Sequence, residues 1–126
     1  MQAFKTKVFA KWADGEGLGD ELLASAVAEM EQGLIDVRLG GLVVKKRVAL
    51  PGRGKRGGAR TLVAFRQGDK AFFIYGFAKN ERANVSNKEL RALKMLAKEL
   101  MNYAAAALTK AMKAGELIEL EVNDDG

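Results

Sequence analysis

Residues 45–82 read KKRVALPGRGKRGGARTLVAFRQGDKAFFIYGFAKNER and contain the segments that decide the fold. Two apolar runs in this stretch, residues 61–65 and 71–77, are rich in the β-branched and aromatic residues that favour strands. The short polar segment between them is typical of a hairpin connection. A third strand is predicted over residues 42–50, and residues 45–60 carry seven Lys or Arg side chains and no acid. The stretch therefore predicts a small sheet that carries positive charge.

The flanking sequence predicts further elements around this sheet. Residues 4–12 alternate loosely between apolar and polar positions and indicate a short strand. Apolar residues from Leu22 to Leu34 recur at helical spacing and predict a first helix, with Asp20 and Glu21 at its start. Ser86 and Glu89 have the spacing of a capping box, and they precede a long second helix whose apolar face runs over residues 90–111.

The order of strand, helix, three strands and helix predicts an α+β domain with a small, mostly antiparallel sheet and helices packed on one side. The first strand is expected to pair in parallel, because a helix separates it from the others. No repeat or linker divides the chain, so residues 1–126 are predicted to form one domain. Residues 115–126 hold five acids and no base, and they fit either an edge strand or a frayed acidic tail.

The composition excludes several classes of function. The 126 residues include no cysteine and no histidine, which excludes disulfide frameworks, zinc and iron–sulfur sites, and Ser–His or Cys–His nucleophilic pairs. No apolar run is long enough for a membrane span and no secretory signal pattern is visible, so a cytoplasmic protein is expected. A net charge of +5 and a pI near 9.6 indicate an anionic partner, either nucleic acid or an acidic protein.

The glycines of residues 52–57 match the spacing G-x-G-x-x-G. A strand pattern follows them where a dinucleotide site needs a helix, so we reject that interpretation. The loop fits better as a basic finger in which Arg53, Lys55 and Arg56 neutralise a phosphodiester backbone. A solvated loop whose charge only aids solubility is an equally good interpretation of the loop alone.

The strands beside this loop favour an anion-binding surface. With a period of two, Lys45 and Arg47 share one face of their strand. If the loop brings the next strand alongside, Arg60 joins them, and such a cluster repels itself unless an anion occupies it. A charged sheet face in water is the alternative interpretation. Tyr75 and Phe77 could stack on bases, but aromatic residues in so apolar a run are favoured as core.

Five segments carry a family resemblance: KKRV at residues 45–48, GRGKRGGAR at 52–60, TLVAFR at 61–66, FIYGFAKNER at 73–82, and the pattern Leu-x-x-Leu-x-x-Leu-Ala from Leu90. Over residues 4–103 the chain resembles the RelE/ParE superfamily, and within it the HigB-type (RelE-like) toxins of bacterial type II toxin–antitoxin operons. The resemblance implies a microbial-ribonuclease-like α+β fold and ribosome-dependent cleavage of mRNA. It also implies neutralisation by a cognate antitoxin, often a helix-turn-helix protein.

The resemblance also implies which residues do the work. By position, the family's strand lysines are matched by Lys45 and Arg47, and the arginine that opens its next strand is matched by Arg60. Lys79 lies beside the family's third basic position, with Arg82 near it. The family's tyrosine near the last helix falls at or near Ser86, so this chain departs from the family pattern there.

The implied chemistry is attack of the RNA 2′-hydroxyl on the adjacent phosphate, which needs alignment, proton transfer and charge stabilisation but neither metal nor histidine. Arg60 and Arg47 are candidates for phosphate stabilisation. Crowding by like charges favours a neutral amine, so Lys45 is a candidate base, with Lys79 as candidate acid.

The expected partners are mRNA, the ribosome and the antitoxin. A ParE-like gyrase-binding toxin and a non-catalytic RNA-binding module are the alternative functions. Candidate RNA contacts are Arg53, Lys55, Arg56, Arg66 and Arg82.

Overall fold

The computed structural model describes residues 1–50, 52 and 54–121, with residues 54–57 described through their backbone alone. The elements are β1 (Gln2–Thr6), α1 (Lys7–Glu16), α2 (Asp20–Glu31), β2 (Val37–Gly40), β3 (Val43–Leu50), β4 (Gly54–Arg66), β5 (Lys70–Ala78), α3 (Asn87–Met101), α4 (Ala105–Lys113) and β6 (Leu117–Glu119). Within this part of the chain, six strands form one sheet in the order β2-β3-β4-β5-β1-β6. Neighbouring strands are antiparallel except β1 and β5, which are parallel.

The β4–β5 hairpin forms the middle of the sheet, as its two apolar runs predict. Gly68 in the connection has a φ of 74°, a left-handed conformation that glycine adopts without steric cost. On the other side of β4 lies β3, in a register that puts Val44 opposite Val63. The sequence does not predict β2, which adds an edge strand beside β3. The α+β class, the mostly antiparallel sheet and the parallel pairing of the first strand are confirmed.

Helices cover both faces of the sheet, whereas the expectation placed them on one side. Alternate residues of β4 belong to two separate clusters: Val63 and Phe65 pack with residues of α1 and α2, whereas Leu62 and Ala64 pack with residues of α3 and α4. The physical reason is that the central strands are apolar at successive positions, so both of their faces must be covered.

The predicted strand over residues 4–12 ends at Thr6, and α1 begins there. The Thr6 hydroxyl accepts a hydrogen bond of 3.2 Å from the Phe9 amide and caps the helix. Phe9 and Ala13, four residues apart, then both lie in the core. The loose alternation of the sequence is therefore a short strand followed by one face of a helix.

The predicted long C-terminal helix is two helices, because α3 ends at Met101 and α4 begins at Ala105. A straight continuation of α3 would carry Leu108 about 10 Å past its end. The break instead returns Leu108 and Ala111 to the cluster on the α3 side of the sheet. The following acidic segment supplies the edge strand β6 beside β1, and residues 122–126 lie outside the described part of the chain. No helix in that part is both long and apolar enough to cross a membrane.

The close packing of α1 on β5 depends on Gly76. A Cβ atom at this position would overlap the six-membered ring of Trp12. We expect Gly76→Ala to lower the free energy of unfolding by about 1–3 kcal/mol, because a tightly packed core has no room for another methyl group. Urea unfolding followed by circular dichroism measures this change.

Gly15→Ala is the matched control, because a Cβ at residue 15 of α1 has no atom within 4 Å. Alanine is the better helix former by about 1 kcal/mol, so this variant should be as stable as the wild type or more so. A Gly76→Ala protein as stable as the wild type would contradict the packing of Trp12 on β5.

Candidate functional site

The central strands place the predicted basic residues in two adjacent rows on the α3 side of the sheet. In the first row, Arg47 of β3 lies opposite Arg60 of β4, which lies opposite Phe77 of β5. The next row crosses the same strands at Lys45, Leu62 and Tyr75. Because side chains alternate between the faces of a strand, Lys45, Arg47 and Arg60 share one face, here called the basic face. The structure brings these three residues together as the period of two predicts.

Arg60 has the environment of an anion-binding residue. Its side chain is partly buried, and its Nη1 atom is enclosed without a hydrogen-bond partner among the described residues. Arg47 lies directly across the strand pair, where like charges repel each other. A buried donor left unpaired costs about 1–3 kcal/mol, and more when it is charged. A phosphate would offset the repulsion between the two arginines, because guanidinium groups donate hydrogen bonds to phosphate oxygens.

Arg47 is held in place by Asp36, which precedes β2. One carboxylate oxygen accepts a 2.6 Å hydrogen bond from the Arg47 backbone amide, and the other accepts a 3.0 Å bond from Nε. Partial burial would raise the pKa of Asp36, but the hydrogen bonds from Arg47 and the charges of Arg47 and Lys46 hold it below its ordinary value. Asp36 is therefore anionic at neutral pH and engages Nε, leaving the two Nη groups of Arg47 for a ligand.

The two adjacent lysines of β3 point to opposite faces. Lys46 is buried on the α2 side, where it forms a 2.6 Å ion pair with Glu29 and donates to the Leu34 carbonyl at 2.9 Å. Lys45 is partly buried on the basic face. Lys45 is thus the lysine of this pair that can act on a ligand bound there.

Arg82 belongs to a hydrogen-bonded group beside the basic face. Its guanidinium binds both carboxylate oxygens of Glu89, at 2.6 and 3.0 Å, and Nη1 also donates to the Tyr75 hydroxyl at 3.1 Å. The same guanidinium lies 5.8 Å from the centre of the Phe77 ring. Glu89 completes the predicted capping box with Ser86 at the start of α3. Arg82, predicted as an RNA contact, therefore holds Tyr75 and anchors the helix.

Two other predicted residues, Arg66 and Lys79, lie outside the cluster of Lys45, Arg47 and Arg60. Arg66 is six residues further along β4 than Arg60, about 20 Å away, and forms a 3.4 Å ion pair with Asp69. Lys79 is exposed just beyond the end of β5, and its amide donates to the Gly58 carbonyl at 3.2 Å. Arg66 thus lies on the same face of β4 as Arg60 but far from it, whereas Lys79 lies two residues past the first row.

The predicted basic finger is only partly described. Arg53 and the side chains of Lys55 and Arg56 lie outside the described residues. The backbone from Gly54 onward continues β4, so this part of the predicted loop is strand.

Sequence reasoning favours Tyr75 as a core residue, whereas the structure leaves it partly buried with its hydroxyl at Arg82. The difference arises from a β-bulge: Leu62 pairs with Tyr75 and Val63 with Phe73, so Ile74 is an extra residue. The signal in the sequence that could have indicated the bulge is Gly76, an isolated glycine inside the apolar run. The sequence also gives no indication that Asp36 belongs to the site, because its contact with Arg47 joins residues on two neighbouring strand segments.

Comparison with known proteins gives one family match. The family model described as "RelE toxin of RelE / RelB toxin-antitoxin system" matches residues 1–120, which include every described strand and helix and all of the basic face. No curated protein matches the chain significantly. The match agrees with the resemblance seen in the sequence and does not distinguish the HigB-type branch, which stays a prediction.

The ion pair between Arg82 and Glu89 predicts a pH-dependent stability. Hydrogen bonds from the Arg82 side chain and from Ser86 lower the pKa of Glu89 from 4.5 to about 2. A depressed folded-state pKa stabilises the fold above about pH 4.5, and this contribution is lost as the pH falls through about 2. We expect Glu89→Gln, which retains a capping side chain, to have a lower Tm than the wild type at neutral pH, with the difference shrinking toward pH 2.

Thermal unfolding between about pH 7 and pH 2 measures this difference. The control is Glu81→Gln, at an exposed residue with no ion pair in the described part of the chain, whose Tm difference should not follow this pattern. A constant Tm difference between Glu89→Gln and the wild type across the range would rule out the charged pair as its source.

Proposed function

The chain belongs to the RelE toxin family and is the toxin of a toxin–antitoxin system; from this premise we propose that it is a ribosome-dependent mRNA endoribonuclease. In this role it cleaves mRNA during translation in the cytoplasm and thereby inhibits protein synthesis. Its partners are mRNA, the ribosome and a cognate antitoxin, which we propose to be a helix-turn-helix protein.

The observation that carries this proposal is the pairing of Arg60 with Arg47 on the basic face, with Lys45 in the adjacent row. Arg60 keeps an enclosed Nη1 atom without a partner among the described residues, and Asp36 occupies only the Nε edge of Arg47. Such an arrangement favours a bound phosphate over an empty surface, because the ligand relieves the repulsion between the arginines.

The reaction that suits this site is transfer of the phosphate to the RNA's own 2′-hydroxyl. Arg60 and Arg47 stabilise the charge that develops on the phosphorane oxygens. Lys45 is the candidate base that takes the proton of the 2′-hydroxyl, and Lys79 is the sequence-derived candidate for the proton donor. The products are a 2′,3′-cyclic phosphate and a free 5′-hydroxyl. By bending the mRNA, the ribosome supplies the alignment that a few basic side chains cannot.

Replacing Arg60 tests the proposal directly. We expect Arg60→Ala to slow cleavage of ribosome-bound mRNA by about 10²–10³-fold, because a donor to the developing charge is lost. The control Arg66→Ala removes an arginine from the far end of the same strand and should cleave like the wild type. Rates come from primer extension that maps the new 5′ ends, with and without ribosomes.

Three results would contradict the proposal. Undiminished cleavage by Arg60→Ala removes this residue from the mechanism. Arrest of DNA supercoiling without RNA cuts indicates a gyrase-binding toxin. RNA binding without cleavage on or off the ribosome indicates a non-catalytic module.

Asp36 provides a second test, because it touches the proposed site only through Arg47. We expect Asp36→Asn to lower kcat about tenfold, the equivalent of one charged hydrogen bond. KM should stay unchanged or fall, since removing an acid strengthens the attraction of the basic face for RNA. In an Arg47→Ala background the same substitution should have no further effect on kcat.

The matched control is Asp69→Asn, which removes the acid paired with Arg66 at the other end of the sheet and should leave kcat unchanged. A rise in KM at constant kcat for Asp36→Asn would contradict a positioning role for Asp36.

A further inference from the structure

We propose that Tyr75 is the general acid of the cleavage step and protonates the 5′-oxygen as the bond to phosphorus breaks. This inference rests on the proposed ribonuclease function and replaces Lys79 as the proton donor. A leaving alkoxide needs a proton, and a phenol within hydrogen-bond reach is a better donor than the guanidinium groups that surround the site.

The position of Tyr75 follows from the register of three strands. Lys45 on β3 and Tyr75 on β5 occupy the two ends of one row, with β4 between them. Strands are spaced about 4.8 Å apart, so the two backbones stand about 10 Å from each other. In-line phosphoryl transfer places the entering and leaving oxygens on opposite sides of phosphorus. A phosphate held by Arg60 on the middle strand therefore has the base on one flank and Tyr75 on the other.

The hydrogen bond to Tyr75 has the direction that a proton donor needs. Arg82 donates to the phenolic oxygen at 3.1 Å, so the hydroxyl proton is not used in this bond. Within the described part of the chain, no acceptor for that proton is present among the side-chain hydrogen bonds of Tyr75. The phenolic proton is thus available to a ligand on the basic face.

The same arginine stabilises the product of proton donation. When the phenol gives up its proton, the negative charge forms on the oxygen that already accepts a bond from the Arg82 cation. Both oxygens of Glu89 and the ring of Phe77 fix the guanidinium, which leaves little reorganisation for the reaction step. Lys79 is exposed beyond the end of β5, and no side-chain contact orients it among the described residues.

The proposed step is balanced in atoms and charge. The 2′-oxygen forms a bond to phosphorus and gives its proton to the amine of Lys45. The bond between phosphorus and the 5′-oxygen breaks, and that oxygen takes the phenolic proton of Tyr75. A 2′,3′-cyclic phosphate and a 5′-hydroxyl leave the site, after which the phenolate regains a proton from water and the Lys45 ammonium returns one.

A substrate with sulfur in place of the bridging 5′-oxygen isolates this proton transfer, because a thiolate leaves without being protonated. Ribosomes are programmed with synthetic mRNA that carries either oxygen or sulfur at the mapped cleavage position. We expect Tyr75→Phe to cleave the oxygen substrate about 10²–10³-fold more slowly than the wild type. The same variant should cleave the sulfur substrate at close to the wild-type rate.

Three variants serve as controls. Arg60→Ala should be slow on both substrates, because charge stabilisation is needed for either leaving group. Lys79→Ala tests the other candidate proton donor on both substrates. Tyr103→Phe removes a tyrosine hydroxyl from a residue that packs among α3 and α4 side chains and should also behave like the wild type. Circular dichroism and Tm establish that each variant is folded.

The outcomes separate this inference from the function on which it rests. The assignment of Tyr75 as the acid is overturned if Tyr75→Phe is equally slow on both substrates. It is also overturned if this variant cleaves both substrates as fast as the wild type. A Lys79→Ala defect that sulfur rescues assigns the acid to Lys79 instead. If the acid is not Tyr75 but Arg60→Ala still abolishes cleavage, the proposed ribonuclease function stands. If the wild type cleaves neither substrate, both the ribonuclease function and the role of Tyr75 are overturned.

Discussion

Two arginines facing each other across neighbouring strands are the constraint on which the candidate site depends. Arg47 and Arg60 would repel each other in any sheet, so their pairing must be imposed by the rest of the structure. The opposite face of the same two strands imposes it, since Val44 packs against Val63 and Val48 against Ala59 in the core. A slip by one residue would turn these apolar side chains out of the core. The hydrophobic register on the α2 side thus fixes the charges on the α3 side.

The acids near the basic face reduce this repulsion without neutralising Arg60. Asp36 accepts from the Nε edge of Arg47, and Glu89 binds Arg82 through both oxygens. Each acid orders one arginine, and neither reaches the enclosed Nη1 atom of Arg60. A protein selected for stability alone would pair or remove such a cation, whereas active sites often retain features that reduce stability. The cost is therefore concentrated at the residue that we propose binds the scissile phosphate.

The parts of the fold that depend on local pattern follow from the sequence. Alternation predicts the β4–β5 hairpin and the shared face of Lys45, Arg47 and Arg60, and the Ser86–Glu89 spacing predicts the start of α3. Features that depend on tertiary packing do not follow from it. They include the covering of both sheet faces, the break before α4 and the contact of Asp36 with β3. The roles assigned to the basic residues stay predictions, because the family match identifies the toxin and not its catalytic groups.

The bulge at Ile74 connects the core to the candidate site. Phe72 and Ile74 face α3, so regular alternation would place residue 76 on that face as well and turn Tyr75 away. One extra residue reverses the order: Tyr75 packs toward α3, and Gly76 turns to the other face, beneath Trp12 of α1. The hydroxyl of Tyr75 and the close approach of α1 then have one structural cause. Because only a glycine at residue 76 admits the Trp12 ring, the packing of α1 favours the bulged strand, and the bulged strand presents Tyr75 beside Arg60.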